Sequence, residues 1–442
     1  MRLLRSPFPR RWLPALLLLA APPLWSQASD PAPETWSLHG QATAITQGHG
    51  GFTSPYQGPH SLSPAREAAT SFTTTLMAGW RPWQGAELYL DAEGAAGKGV
   101  SSVLGLAGAP NGETYRVGNP EFRAAVARVW LRQTFDLGGE PTKVEPDAHQ
   151  LGGARGARRL VLHAGKLSVM DVFDANTYAH DPRSQFLNWT LMGHGAWDYP
   201  ADTRGYTWGG AAELIWDAWA LRLGRFAEPL EANQLEMDHG LARAHGDVVE
   251  VEHDHDLGGQ PGVVRVMAFH NTTRMGDYRE SLALRPTAPD VTATRRYGRD
   301  KRGWGLNLEQ ALTANLGAFA RWSWSDGRAE TWAFTEVDRS ASAGLALKGG
   351  GWGRPLDRVG VAFVQNGLSP DHQAYLAAGG LGFLLGDGRL ICSPERILET
   401  TYAAALGRFL TASLDVQRIA SPGYNRDRGP VRLVAVRLHA QF

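Results

Sequence analysis

Apolar and polar residues alternate one by one along most of this chain, and no helical heptad is sustained anywhere. The last twelve residues carry the pattern most cleanly. Val434, Val436, Leu438, Ala440 and Phe442 fall on one face of an extended strand, and Ala435, Arg437, His439 and Gln441 on the other. The same period of two recurs where Ala86, Leu88 and Leu90 alternate with Glu87, Tyr89 and Asp91. It recurs again where Ala125, Ala127, Val129 and Leu131 alternate with Arg128, Trp130 and Arg132, and in Leu410 to Gln417. About sixteen such segments of roughly ten residues are predicted as strands. They lie near 36–46, 70–80, 85–92, 121–135, 159–169, 205–215, 218–226, 246–255, 263–271, 303–310, 315–324, 340–348, 358–366, 395–405, 408–418 and 431–442.

A period of two fits a soluble sandwich as well as a membrane barrel. The connections separate the two. Gaps after even-numbered strands are mostly tight (81–84, 216–217, 256–262, 311–314, 406–407), and gaps after odd-numbered strands are long (47–69, 93–120, 170–204, 227–245, 272–302, 367–394). The segment 136–158 is the exception, too long for an ordinary turn. This pattern predicts an all-β fold: a closed antiparallel transmembrane β-barrel of about 16 strands with short periplasmic turns and long extracellular loops. Trp36, Trp80, Trp83, Phe135, Trp216, Trp219, Trp304, Trp322, Trp352, Phe409 and Phe442 sit near strand ends, as interfacial girdles require. The mid-strand ions Glu87, Arg128, Glu213, Arg222, Arg321, Glu399 and Arg437 all lie on the polar face, which then points into the lumen.

Composition narrows the picture further. A single cysteine, Cys392, excludes a disulfide scaffold and has no recognisable base beside it. Beyond the N-terminus no run of about 18 apolar residues occurs, so helical membrane spans are not expected. Residues 1–28 read as a cleaved signal peptide, with Arg2, Arg5, Arg10 and Arg11 ahead of an apolar core from Trp12 to Trp25 and small residues at Ser26-Gln27-Ala28. The remaining 29–442 form one barrel domain. The formal charge is zero for the whole chain and −4 without the four signal-peptide arginines, which argues against a nucleic-acid partner. No serine elbow, zinc-protease helix or phosphate-binding loop is present, so no catalytic residue is assigned. His253-Asp254-His255-Asp256 is the densest group of metal-ligand types, but the spacing places it on an exposed turn, where adjacent ligands rarely close a site. No metal or cofactor is expected.

Sixteen strands leave a water-filled lumen that something must narrow for the pore to select. The segment 170–204 is the candidate, because it carries Asp174, Asn176, Tyr178, Asp181, Arg183, Asn188, Trp189 and Asp198 and has no obvious helix. It either folds into the pore or covers the outer mouth. Arg forks and carboxylates exchange hydrogen bonds with vicinal hydroxyls, and aromatic faces stack on sugar rings, so sugars suit such a lumen. The candidate pore-lining residues are Glu87, Tyr89, Asp91, Arg128, Trp130, Arg132, Asp181, Arg183, Arg204, Glu213, Arg222, Glu399 and Arg437. About half of such ions are expected to brace the wall as Arg–Glu pairs rather than touch a solute.

Several stretches resemble the OprB-type carbohydrate-selective porins of Gram-negative outer membranes. They are Gly85-Ala-Glu-Leu-Tyr-Leu-Asp-Ala-Glu-Gly94, Trp130-Leu-Arg-Gln-Thr-Phe135, Gly165-Lys-Leu-Ser-Val-Met-Asp-Val-Phe-Asp174 and Tyr178-Ala-His-Asp-Pro-Arg183. Further on come Ala196-Trp-Asp-Tyr-Pro-Ala-Asp202, Arg204-Gly-Tyr-Thr-Trp-Gly209, Leu381-Gly-Phe-Leu-Leu-Gly-Asp-Gly388 and Pro394-Glu-Arg-Ile-Leu-Glu399. The resemblance covers roughly residues 36–442. It implies a sixteen-stranded barrel passing glucose and similar small sugars by facilitated diffusion, without energy coupling. Small carbohydrates and outer-membrane lipid are then the expected partners, with a homotrimer open as the assembly. Two other readings stand beside it. One is a plugged outer-membrane barrel acting as a receptor or structural protein; the other is a soluble periplasmic polysaccharide-binding β-protein.

Overall fold

The computed structural model describes residues 33–114 and 121–442. The expected signal peptide, residues 1–28, lies outside the described residues, as does part of the long gap 93–120. Sixteen long antiparallel strands form the wall: β1 (Trp36–His49), β2 (Glu67–Trp80), β3 (Ala86–Gly97), β4 (Arg123–Asp136), β5 (Arg158–Leu167), β6 (Thr207–Trp216), β7 (Trp219–Pro229) and β8 (His245–Leu257). They continue as β9 (Gln260–Thr273), β10 (Arg299–Ala311), β11 (Leu316–Ser325), β12 (Arg339–Lys348), β13 (Arg358–Gly367), β14 (Glu395–Ala405), β15 (Leu410–Ala420) and β16 (Val431–Gln441). Each strand pairs with its sequence neighbours, and β1 pairs with both β2 and β16. The closing register sets Thr43 opposite His439 and Ala44 opposite Leu438. The sheet therefore closes with no edge strand left over, which a span through lipid demands.

Why these residues form strands is visible in which way they point. In β16, Val436 is 52% exposed on the outer surface while the adjacent Arg437 is 0% exposed in the interior. An arginine facing lipid at the bilayer midplane costs about 2–4 kcal/mol, so the register of every strand is strongly fixed. All eleven aromatic residues expected as girdles are exposed on the outside. One phase error occurs. A bulge opposite Asp91 and Ala92 leaves Ala127 without a register partner, so Ala127 is buried and Val126 faces outward. Two residues then oppose one, which resets the alternation that the sequence predicted for Ala127.

Turn lengths follow the expected rhythm. At one end the strands are joined by 217–218, 258–259 and 312–315; at the other by 50–66, 168–206, 274–298 and 368–394. Gly258 and Gly259 both take positive φ, +65° and +79°, as a two-residue hairpin turn of this hand requires. The group His253 to Asp256 is not on a turn, as expected, but inside β8. There His253 stacks on Trp219 at 4.1 Å and the His255 Nε2 atom lies 2.9 Å from Gln310 Oε1. The strand simply runs two residues further than its apolar pattern indicates.

Most of the buried apolar side chains belong to loops packed inside the wall. Phe173, Trp197, Trp332 and Leu384 are part of one such cluster, and Phe226 and Phe269 of the wall pack into it. The lumen is therefore furnished by chain from the long-loop end.

Candidate functional site

The segment 168–206 enters the barrel rather than lying over its mouth. It starts with a capping box, in which Ser168 and Asp171 satisfy each other's backbone amides around a short 3₁₀ turn. It then crosses the lumen, held at successive points by the wall. Arg321 of β11 donates to Asp174 Oδ1 at 3.0 Å and to the carbonyls of Ala179 at 2.8 Å, Leu191 at 3.0 Å and Asp174 at 3.2 Å. Glu399 of β14 accepts from the Asn188 amide at 3.1 Å and from the Leu187 amide. Arg437 of β16 donates to the carbonyls of Pro182 at 2.6 Å and Gln185 at 3.0 Å. Lys301 of β10 reaches Asp198 at 3.0 Å. Close approach also needs absent side chains: a Cβ on Gly305 of β10 would lie 2.4 Å from the His194 ring, and one on Gly317 of β11 2.0 Å from Tyr178.

Between this loop, the inward loop 98–114 and strands β2 to β4 lies a cavity of ≈ 220 Å³. One side is ionic. Arg128 grips Asp171 with two bonds, 2.8 and 2.7 Å, and Asp91 with a third at 2.9 Å. Arg183 lies 3.0 Å from Glu113 and 3.4 Å from Glu93, and Tyr206 donates to the same Glu93 oxygen at 2.8 Å. Burial opposes charge on Asp171, yet the Arg128 guanidinium beside it holds its carboxyl below the usual range. The other side is aromatic. Trp189 stacks on Phe334 at 5.3 Å, and Tyr199 meets the same ring at 4.4 Å. Burial pushes the Asp202 carboxyl up, against amide bonds from Tyr206 and Arg204. The Arg204 guanidinium also lines the cavity and has no hydrogen bond or ion pair among the described residues.

Of the residues singled out from sequence, Arg128, Asp181, Arg183 and Arg204 line this cavity. The others point inward but are engaged elsewhere. Glu87 is bound by Tyr89, Arg132 and Arg155, and Trp130 donates to His163 at 3.1 Å. Glu213 and Arg222 pair at 2.7 Å within a chain that continues to Glu250 and Glu252. Glu399 and Arg437 are fully buried under the loop they clasp. Sequence reasoning missed Glu93, Glu113, Tyr199, Tyr206 and Phe334. Glu93 shares the parity of Glu87 and Asp91 and was available from alternation; Glu113 and Phe334 come from loops with no period.

The family model described as carbohydrate-selective porin, OprB family, matches residues 60–442. The chain belongs to this family. This OprB-family porin is thus an outer-membrane channel for carbohydrates, and its family and fold are those of a channel rather than an enzyme. Its fold is similar to the high-pH structure of Pseudomonas putida OprB, with a TM-score of 0.70 at 18% identity over 92% of this chain and 94% of that one. It is also similar to the low-pH structure of the same protein, with a TM-score of 0.50 at 14% identity over 92% and 93% of the two chains. No curated protein sequence matches the porin.

Proposed function

We propose that this porin passes single glucose-sized sugars by facilitated diffusion, and that the 168–206 loop is the element that narrows the passage. The observation that carries this reading is the two-sided cavity, with Arg128, Arg183 and Arg204 among carboxylates facing Trp189, Tyr199 and Phe334. At ≈ 220 Å³ it is smaller than the roughly 300–1,000 Å³ of a drug-sized site, so it suits one small solute at a time. Guanidinium forks and carboxylates trade hydrogen bonds with ring hydroxyls, while the aromatic wall takes the apolar ring face. Acids and bases are interleaved there, which favours a neutral polyol over an anion or a cation. Weak, exchangeable contacts of this kind let a solute leave as readily as it enters. Export through cleavage after residue 28 is supported by the arginine-rich start, the apolar core and Ser26-Gln27-Ala28.

The test is ion current through the purified porin in planar bilayers during titration with glucose. Current falling to a saturating level as glucose fills the cavity supports the reading. A folded barrel that carries no current in any salt points instead to a plugged receptor or structural barrel.

A further inference from the structure

The connection between β4 and β5 has no counterpart at the short-turn end of the barrel. Pro141–Val144 and Gly153–Gly156 pair as a small hairpin of their own. The tip between them turns back into the lumen. His149 Nε2 lies 2.8 Å from Asp91 Oδ2, five residues and therefore about 17 Å along β3 from Ala86. Arg155 reaches Glu87 at 3.1 Å, and Arg81 bonds both Glu87 at 3.3 Å and the Gly152 carbonyl at 3.4 Å. Leu151 is fully buried. Beneath the tip, His149 packs edge-on to Tyr89 at 5.5 Å and against Trp130 at 6.0 Å, and both rings are buried. Arg132 stands over the same two rings at 5.3 and 5.5 Å.

We propose that this strap, residues 137–157, is a gate on the periplasmic exit of the channel. Docked, it closes the lumen below the cavity and covers Tyr89 and Trp130. Lifted, it opens the exit and bares those two rings with Arg132 as a second stacking platform for a sugar leaving the pore. Two features suit it to move. Side-chain bonds from His149, Arg155 and Arg81 hold the tip, with one backbone bond, from the Glu34 amide to the Gly152 carbonyl at 3.0 Å, and one from the Gly152 amide to Glu34 Oε2 at 2.7 Å, whereas the wall is held by continuous ladders. Gly138 and Gly139, both at positive φ (+95° and +86°), stand at its base, where the backbone can absorb a swing. The tip also shares a carboxylate with the constriction, because Asp91 binds His149 and Arg128 together. A solute that draws on Arg128 therefore alters the hold on the strap.

The gate presupposes a conducting lumen and so rests on the reading above, but ionic current alone reports it. Three proteins are compared in planar bilayers with KCl: the porin, His149→Ala, and a variant lacking residues 140–156. The porin is expected to switch between two conductance levels. Removing the His149 bond shifts the ratio toward the higher level about tenfold, the scale of one hydrogen bond to a charged group. The strapless barrel holds the higher level continuously. A single steady level in the porin, with the same level in both variants, overturns the gate and leaves the porin reading intact. Silence from all three contradicts both. If the strapless variant fails to fold, as read by its heat-dependent gel mobility, the level ratio of His149→Ala decides alone.

Discussion

Arg321→Met removes a side chain that pins the luminal loop both at Asp174 and Ala179 and, further on, at Leu191. Four bonds are lost, to Asp174 Oδ1 and to the carbonyls of Asp174, Ala179 and Leu191. Breaking one half of a buried ion pair costs about 3–5 kcal/mol, because the partner charge stays buried. Asp174 keeps bonds from Asn307 and from the His194 amide, both at 2.6 Å, so the low end applies. A loss of about 3 kcal/mol raises the population of detached loop roughly a hundredfold. The wall ladders are untouched, so the barrel still folds. Hydrogen exchange should speed up about a hundredfold at amides 174–196 and stay unchanged in the strands. Mean conductance should rise with it. A control, Arg225→Met, breaks the outward pair with Asp247, whose exposed members contribute at most about 1 kcal/mol, and leaves the loop protected. Equal protection of 174–196 in Arg321→Met and the unaltered porin would refute the claim that wall-to-loop bonds hold the constriction.

Other consequences follow from the same geometry. Burial disfavours the charged His372, but Asp338 at 3.0 Å and Glu336 beside it raise its pKa to about 9. That pairing stabilises the outer loops fully below the free histidine value of about 6.5 and is lost as pH rises through about 9, a change on the order of 3 kcal/mol. Proteolysis of the loop 368–394 should therefore accelerate between pH 7 and 10, and His372→Gln should abolish that dependence. Arg183→Ala removes one positive charge from beside the carboxylates at the cavity, so the reversal potential in a KCl gradient should move toward cation selectivity. Val436→Arg puts a charge on the lipid face and should lower stability by about 2–4 kcal/mol in urea titrations in liposomes, whereas Val436→Leu should not.

The wall was legible in the sequence because lipid and water impose opposite demands on neighbouring residues. Val436 and Arg437 could only face opposite ways, and the same logic located all sixteen strands. It failed at Ala127, since a bulge changes parity without changing composition. It also shortened β8, where His253 and His255 stand as outward polar rings near the aromatic girdle and break the apolar run. The site was legible only by half. Alternation says that Glu399 and Arg437 face inward, but not that a loop would lie against them. The course of that loop is written in pairings such as Arg321 with Asp174, which join residues far apart in sequence and leave no local pattern. Phe334 enters the cavity for the same reason unannounced.

Swelling of liposomes that carry the purified chain tests the central claim most directly. In isotonic glucose or another monosaccharide the vesicles should swell rapidly, more slowly in a disaccharide, and not at all in a tetrasaccharide. Swelling no faster than in protein-free vesicles for every sugar, from a barrel shown to be folded, would contradict it.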